Sequence, residues 1–77
     1  MKDCHKATLD KKATGSLLRK AILDSGMTIE EVSIGLDLSS PRVIYSWMNG
    51  EKLPSLENLV NLALMVDKKM EDLVALR

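Results

Sequence analysis

Side chains able to do chemistry are few in this sequence, and they are not set out for catalysis. Cys4 and His5 stand side by side, the only cysteine and the only histidine of 77 residues. Two adjacent ligands with no second pair further along do not make a metal site, so both read as incidental residues of a polar start. No hydroxyl or amine lies in a pattern with a base, no glycine-rich loop is present to cradle a phosphate, and no carboxylates are arranged for acid–base work. An enzyme is therefore not expected. What remains is the run Ser39-Ser40-Pro41-Arg42-Val43-Ile44-Tyr45-Ser46-Trp47-Met48-Asn49-Gly50-Glu51-Lys52-Leu53-Pro54, which holds the only tryptophan, the only tyrosine and both prolines. At helical spacing Ile44, Trp47 and Met48 form an apolar stripe that reads as core. Arg42, Tyr45, Ser46 and Asn49 fall on the other side. One guanidinium fork among short hydroxyl and amide groups is equipped to recognise a partner by hydrogen bonding.

That face needs a helix to carry it and neighbours to hold it. Ser40-Pro41 is a helix start: a serine oxygen to accept an orphan N–H, then a proline whose missing donor costs nothing there. Asn49-Gly50 is a stop, and Pro54 prevents resumption. Upstream, a first helix begins at Ser16 with Leu17, Leu18, Ala21 and Ile22 on one stripe, Arg19, Lys20 and Asp24 outward, and an end at Ser25-Gly26. Thr28-Ile29-Glu30-Glu31 has the capping-box form. It opens a second helix that runs to about Leu36 and buries Val32 and Leu36. Asp37-Leu38-Ser39 is the only connection to the third helix, so the two must cross steeply. Ser55 caps a fourth helix whose buried set reads as Leu56, Leu59, Leu62, Ala63 and Val66. After a break at Asp67-Lys68-Lys69, Met70, Leu73 and Val74 suggest a short fifth.

Residues 1–14 lack periodicity and carry Lys2, Lys6, Lys11 and Lys12 against Asp3 and Asp10. They read as a flexible polar arm, with a single domain over 15–77. No segment alternates with period two. The expectation is an all-α domain of five helices, near the lower size limit for folding without staples. A single cysteine excludes an internal disulfide and suits a reducing compartment. No apolar run approaches membrane-spanning length and no secretion signal opens the chain, so a cytoplasmic protein is expected. Basic and acidic residues balance at 11 each. That sum decides little, because binding depends on where charge sits.

Five short helices with a tight second-to-third turn resemble the phage repressor/Cro-like helix-turn-helix family, often called the XRE family. The resemblance covers roughly Thr14 to Val74. It is carried by Thr28-Ile-Glu-Glu-Val, by Ile44-x-x-Trp47-x-Asn49-Gly50, by Pro54-Ser55-Leu56-Glu57-Asn58-Leu59 followed by Leu62-Ala63, and by Glu71-Asp72-Leu73. Each motif is weak alone; in order and at proper spacing they are strong.

The resemblance implies a lambda-repressor-like fold and a transcriptional regulator, with repression the expected mode and helix three, about 40–49, in the major groove of double-stranded DNA. Its DNA-binding set would be Ser39, Ser40, Pro41, Arg42, Val43, Tyr45, Ser46, Asn49 and Lys52. Ser40, Asn49 and Lys52 suit backbone phosphates, which fix position and not sequence. Arg42 suits the O6/N7 edge of guanine, Ser46 either donates or accepts, and Pro41 and Val43 suit a thymine methyl. Tyr45 is a phosphate contact or a rim residue. The chain departs from relatives at Ile29, where glutamine is frequent, at Ser33 in place of alanine, and at Asp37 in place of the turn glycine. It also has Ile22 and Met48 where many carry an arginine–glutamate pair. No cofactor or small-molecule ligand is expected. With only about three to five basic candidates for DNA contact per monomer (Arg42, Lys52 and arm lysines such as Lys11 and Lys12, which read otherwise as solvated), a homodimer is expected, formed through Leu73, Val74 and Leu76 of the fifth helix. The alternative is a protein-interaction module on the same scaffold with little DNA affinity, which Ile29, the acidic Glu30, Glu31 and Asp37, and the zero net charge would favour.

Overall fold

A computed structural model describes residues 8–77. Lys2, Asp3, Lys6 and the Cys4-His5 pair lie outside the described residues. Four α-helices follow one another: α1 Lys11–Ser25, α2 Ile29–Gly35, α3 Arg42–Met48 and α4 Leu56–Val66. In place of the expected fifth helix there is a single 3₁₀ turn, Met70–Asp72. The only strand-like pairing among the described residues is an isolated antiparallel bridge between Leu9 and Leu76. None of the described helices is long and apolar enough to cross a membrane.

Local signals place the ends of these helices. Thr28 Oγ1 accepts from the Glu31 N–H at 3.0 Å while Glu31 Oε1 accepts from the Thr28 N–H at 2.8 Å, a complete capping box for α2. Ser55 Oγ accepts from the Asn58 N–H and opens α4. Gly26 adopts φ 80°, the left-handed geometry that lets α1 stop without a Cβ penalty. Asp37 and Asp67 adopt φ 57° at the ends of α2 and α4, a conformation that a short polar side chain tolerates.

α1 starts five residues before Ser16, so the expected arm does not extend to residue 14. Asp10, read as part of the arm, is the cap: its Oδ1 accepts from the Ala13 N–H at 3.0 Å. Burial of Thr14, only 1% exposed, draws this first turn into the domain. Thr14 Oγ1 accepts from the Ala75 N–H at 3.0 Å and donates to the Ala75 carbonyl at 3.4 Å. The Asp10 N–H donates to that carbonyl at 2.8 Å, and the Arg77 N–H to the Thr8 carbonyl at 2.9 Å. These contacts explain why no fifth α-helix forms. The Ala75 N–H and carbonyl and the Arg77 N–H are committed to residues 8–14 and cannot also bond along a helix.

Replacing Thr14 with the isosteric valine keeps the volume but strands the Ala75 N–H. The expected loss is about 1–3 kcal/mol, read as a lower denaturation midpoint at unchanged slope. An unchanged midpoint would mean that the Thr14 hydroxyl does not hold the tail.

The core gathers Leu18, Ile22, Val32, Ile44, Trp47, Leu62 and Leu73 with their smaller neighbours, all from the expected stripes. Two assignments change. Leu56 is 72% exposed, not buried: at the first position of α4 it lies on the outward row Leu56, Val60, Leu64, while Leu62, Ala63 and Val66 face in. Leu73 is 1% exposed and belongs to the domain's own core, which removes it from any dimer surface.

Candidate nucleic-acid interface

The turn between α2 and α3 is closed by main-chain bonds. The Asp37 N–H donates to Ile34 O at 3.0 Å and the Leu38 N–H to Ser33 O at 2.9 Å. Ser40 Oγ then accepts from the Arg42 N–H at 3.2 Å, as expected of the serine, but α3 begins at Arg42 and Pro41 takes the cap position rather than the first helical one. At the far end Gly50 takes φ 78°, and the N–H groups of Glu51 and Lys52 both donate to the Ser46 carbonyl. α3 is thereby tied at both ends, although it is too short to be stable alone.

Its orientation comes from burial. Ile44, Trp47 and Met48 are sealed, while Arg42, Tyr45 and Asn49 are exposed. Arg42, Val43, Tyr45, Ser46 and Asn49 line an open groove of about 420 Å³ together with Glu51 and Lys52. Of the nine sequence-derived site residues, six therefore meet in one place. Ser39, Ser40 and Pro41 do not line it; they sit at the turn leading into α3.

Two side chains have narrower chemistry than their types suggest. The Ser46 hydroxyl donates back to the Val43 carbonyl at 2.6 Å, so in this arrangement it offers a ligand an acceptor only. Val43 is half-buried and packs on the core, which leaves only part of it for an apolar contact.

No family model matches the chain, and no curated protein matches its sequence. Several solved structures match in fold, two of them regulators by name. One is the restriction-modification controller protein C.AhdI from Aeromonas hydrophila, at TM-score 0.74 and 23% identity over 83% of this chain and 91% of that one. The other is the clp gene regulator ClgR from C. glutamicum, at TM-score 0.73 and 26% identity over 86% of this chain and 84% of that one. The fold is that of an XRE-like helix-turn-helix protein.

Within this helix-turn-helix fold the departures acquire physical meaning. Ile29 is half-buried against the core, so it serves packing at the position where the resemblance would put glutamine. Ile22 and Met48 are both members of the core, apolar side chains where the resemblance would put an ion pair. Ser33 is 5% exposed, small enough for close packing in α2.

The sequence did not reveal how α1 enters the site. Arg19 Nη2 lies 3.5 Å from Asn49 Oδ1, at the limit of a hydrogen bond, and brings a second guanidinium beside the groove. Gly15 lets α1 touch α3: a Cβ there would stand 2.5 Å from the Trp47 carbonyl oxygen and 2.6 Å from that of Met48. The helical wheel places Arg19 outward, and only the crossing of α1 over the end of α3 decides what outward faces.

Proposed function

We propose that this helix-turn-helix protein is a sequence-specific DNA-binding transcriptional regulator that lays α3 in the major groove. The observation that carries this reading is the split face of α3, with Trp47 sealed inside and Arg42 exposed in an open groove of hydrogen-bonding groups. The two structural neighbours named above are regulators, a restriction-modification controller and a clp gene regulator. Arg42 would present its fork to guanine. Ser46 would accept from a base amino group, Tyr45 would rest on the groove rim, and Asn49, Lys52 and the Ser39-Ser40-Pro41 turn would meet the backbone. Regulation follows from occupancy: a protein seated on a promoter excludes polymerase, so repression is the simplest mode, in the cytoplasm of a bacterium and without cofactor.

Selection from a random duplex pool tests this directly, followed by titration of selected and random sites at two salt concentrations. The regulator should prefer the selected site and lose affinity steeply as salt rises. Equal, salt-insensitive binding of both pools would instead indicate an interaction module on the same scaffold.

A homodimer fits this reading, because one monomer offers few cations and a two-fold site doubles them. With Leu73 buried, the surface best suited to it is the outward row of α4. Leu56 and Leu64 are 72% and 75% exposed there, with Val60 between them. Replacing Leu56 and Leu64 with glutamate should shift sedimentation toward monomer while helix content stays constant. A wild-type chain that remains monomeric at high concentration, and on DNA, would rule the dimer out.

A further inference from the structure

The chain is neutral overall, yet its charge is not evenly spread. Of the 11 basic residues, Lys2 and Lys6 lie outside the described part, leaving nine. Six of these nine lie on one connected surface. Arg42 and Lys52 line the α3 groove, and Arg19 reaches Asn49 at its edge. Gly50 follows Asn49 in the chain and also lines a neighbouring cleft of about 590 Å³, where Lys11, Lys12 and Arg77 meet. The two hollows adjoin at this point: a Cβ on Gly50 would stand 2.8 Å from Lys12 Cγ, so the lysine stem packs directly over the glycine.

The acidic side chains lining these hollows are Asp10 and Glu51, and the Asp10 carboxylate is engaged as the α1 cap. Five cationic side chains line the two hollows against two anionic ones, an excess of three positive charges, and Arg19 stands at their edge. Lys20 and Lys68 line other clefts, and Lys69 follows Lys68 in the chain after α4. Asp24, Asp67 and Asp72 share those clefts with Lys20 and Lys68. Two residues lining the cleft beside α3 are joined directly, the Arg77 N–H donating to the Thr8 carbonyl at 2.9 Å.

We infer that Lys11, Lys12 and Arg19, with Arg77 beside them, form a second contact track that holds the phosphodiester backbone flanking the segment read by α3. This rests on the DNA-binding reading above and extends it. The partner is the duplex already in the groove, continued past the end of α3 and across the α1 seam. Backbone contacts of this kind set position and affinity and leave base preference alone.

The test compares wild type with Lys11→Gln/Lys12→Gln on the selected duplex and on single-base variants of it. Lys68→Gln/Lys69→Gln is the control that removes equal charge outside the two hollows. Loss of two phosphate contacts should flatten the salt slope by about two, so the deficit against wild type should be about tenfold larger at about 50 mM salt than at about 200 mM. The ranking of base variants should not change, and the Lys68/Lys69 control should follow wild type. Arg19→Gln should flatten the slope by about one.

Wild-type slope and affinity in Lys11→Gln/Lys12→Gln would overturn the track and leave the α3 reading intact. So would an equal loss in the Lys68/Lys69 control, which would assign the effect to overall charge. A reordered base preference would overturn it as well, by making the lysines base readers. Absence of any duplex binding by wild type would overturn the track together with the reading beneath it.

Discussion

Replacing Gly15 with alanine should lower the melting temperature by about 10 °C, an expected loss of about 1–2 kcal/mol for a domain of this size. Two effects oppose each other here. Inside a helix alanine is favoured over glycine by about 1 kcal/mol, so propensity alone predicts a stabler protein. Against it, the new methyl would stand 2.5 Å and 2.6 Å from two carbonyl oxygens and 2.9 Å from the Met48 carbonyl carbon. These are backbone atoms and cannot rotate away, so α1 and α3 must separate. Overpacking of this kind costs about 1–3 kcal/mol, sometimes more, and the clash wins. Gly35 is the built-in contrast. A Cβ there meets only the flexible end of Met65, so Gly35→Ala should be nearly neutral or mildly stabilising. The Gly15 change should also weaken DNA binding, because the end of α3 would lose its seat. A melting temperature equal to or above that of wild type would show that the two helices do not approach so closely.

Gly15 also shows where the sequence stops being legible. Signals that act within four residues were readable. The Thr28/Glu31 box, the Ser55 cap, Gly26, Asp37 and the Ser40 oxygen before α3 each depend on neighbours in the chain, and each is found as expected. The apolar stripes gave the core for the same reason. What could not be read depends on distant partners. Gly15 carries no local signal, since a glycine within a helix is costly, and only the carbonyls of Trp47 and Met48 explain it. Thr14 looked like a polar residue of an arm, since its partner Ala75 lies 61 positions away. Leu56 joined the buried set by spacing, yet the first turn of α4 overhangs the core's edge. Most of the candidate site was legible because it sits on one short helix. The contribution of α1 was not, because it arises where two elements cross.

The largest contrast expected in this protein lies between two residues five positions apart. Trp47 is 3% exposed, and its replacement by alanine should cost about 3–5 kcal/mol. A domain of this length has only about 4–12 kcal/mol in total, so Trp47→Ala should give up a quarter or more of its stability, melt well below the parent and bind DNA only through the fraction that stays folded. Arg42 is exposed, and its side chain makes none of the hydrogen bonds that hold α3. Arg42→Ala should therefore melt within about 0.5 kcal/mol of wild type. On the selected site, however, it should lose about 1–3 kcal/mol, roughly 5- to 150-fold, with preference blurred at one base pair. Arg42→Lys separates charge from geometry. The charge remains but the bidentate fork is lost, so the salt slope should hold while discrimination at that base pair falls. Thermal melts and titrations on matched and single-base-variant duplexes read both axes at once. Should Arg42→Ala bind every duplex as the parent does, the guanidinium does not read bases. Should Trp47→Ala melt like the parent, α3 is not seated by its tryptophan, and the face that Arg42 presents is not the one described.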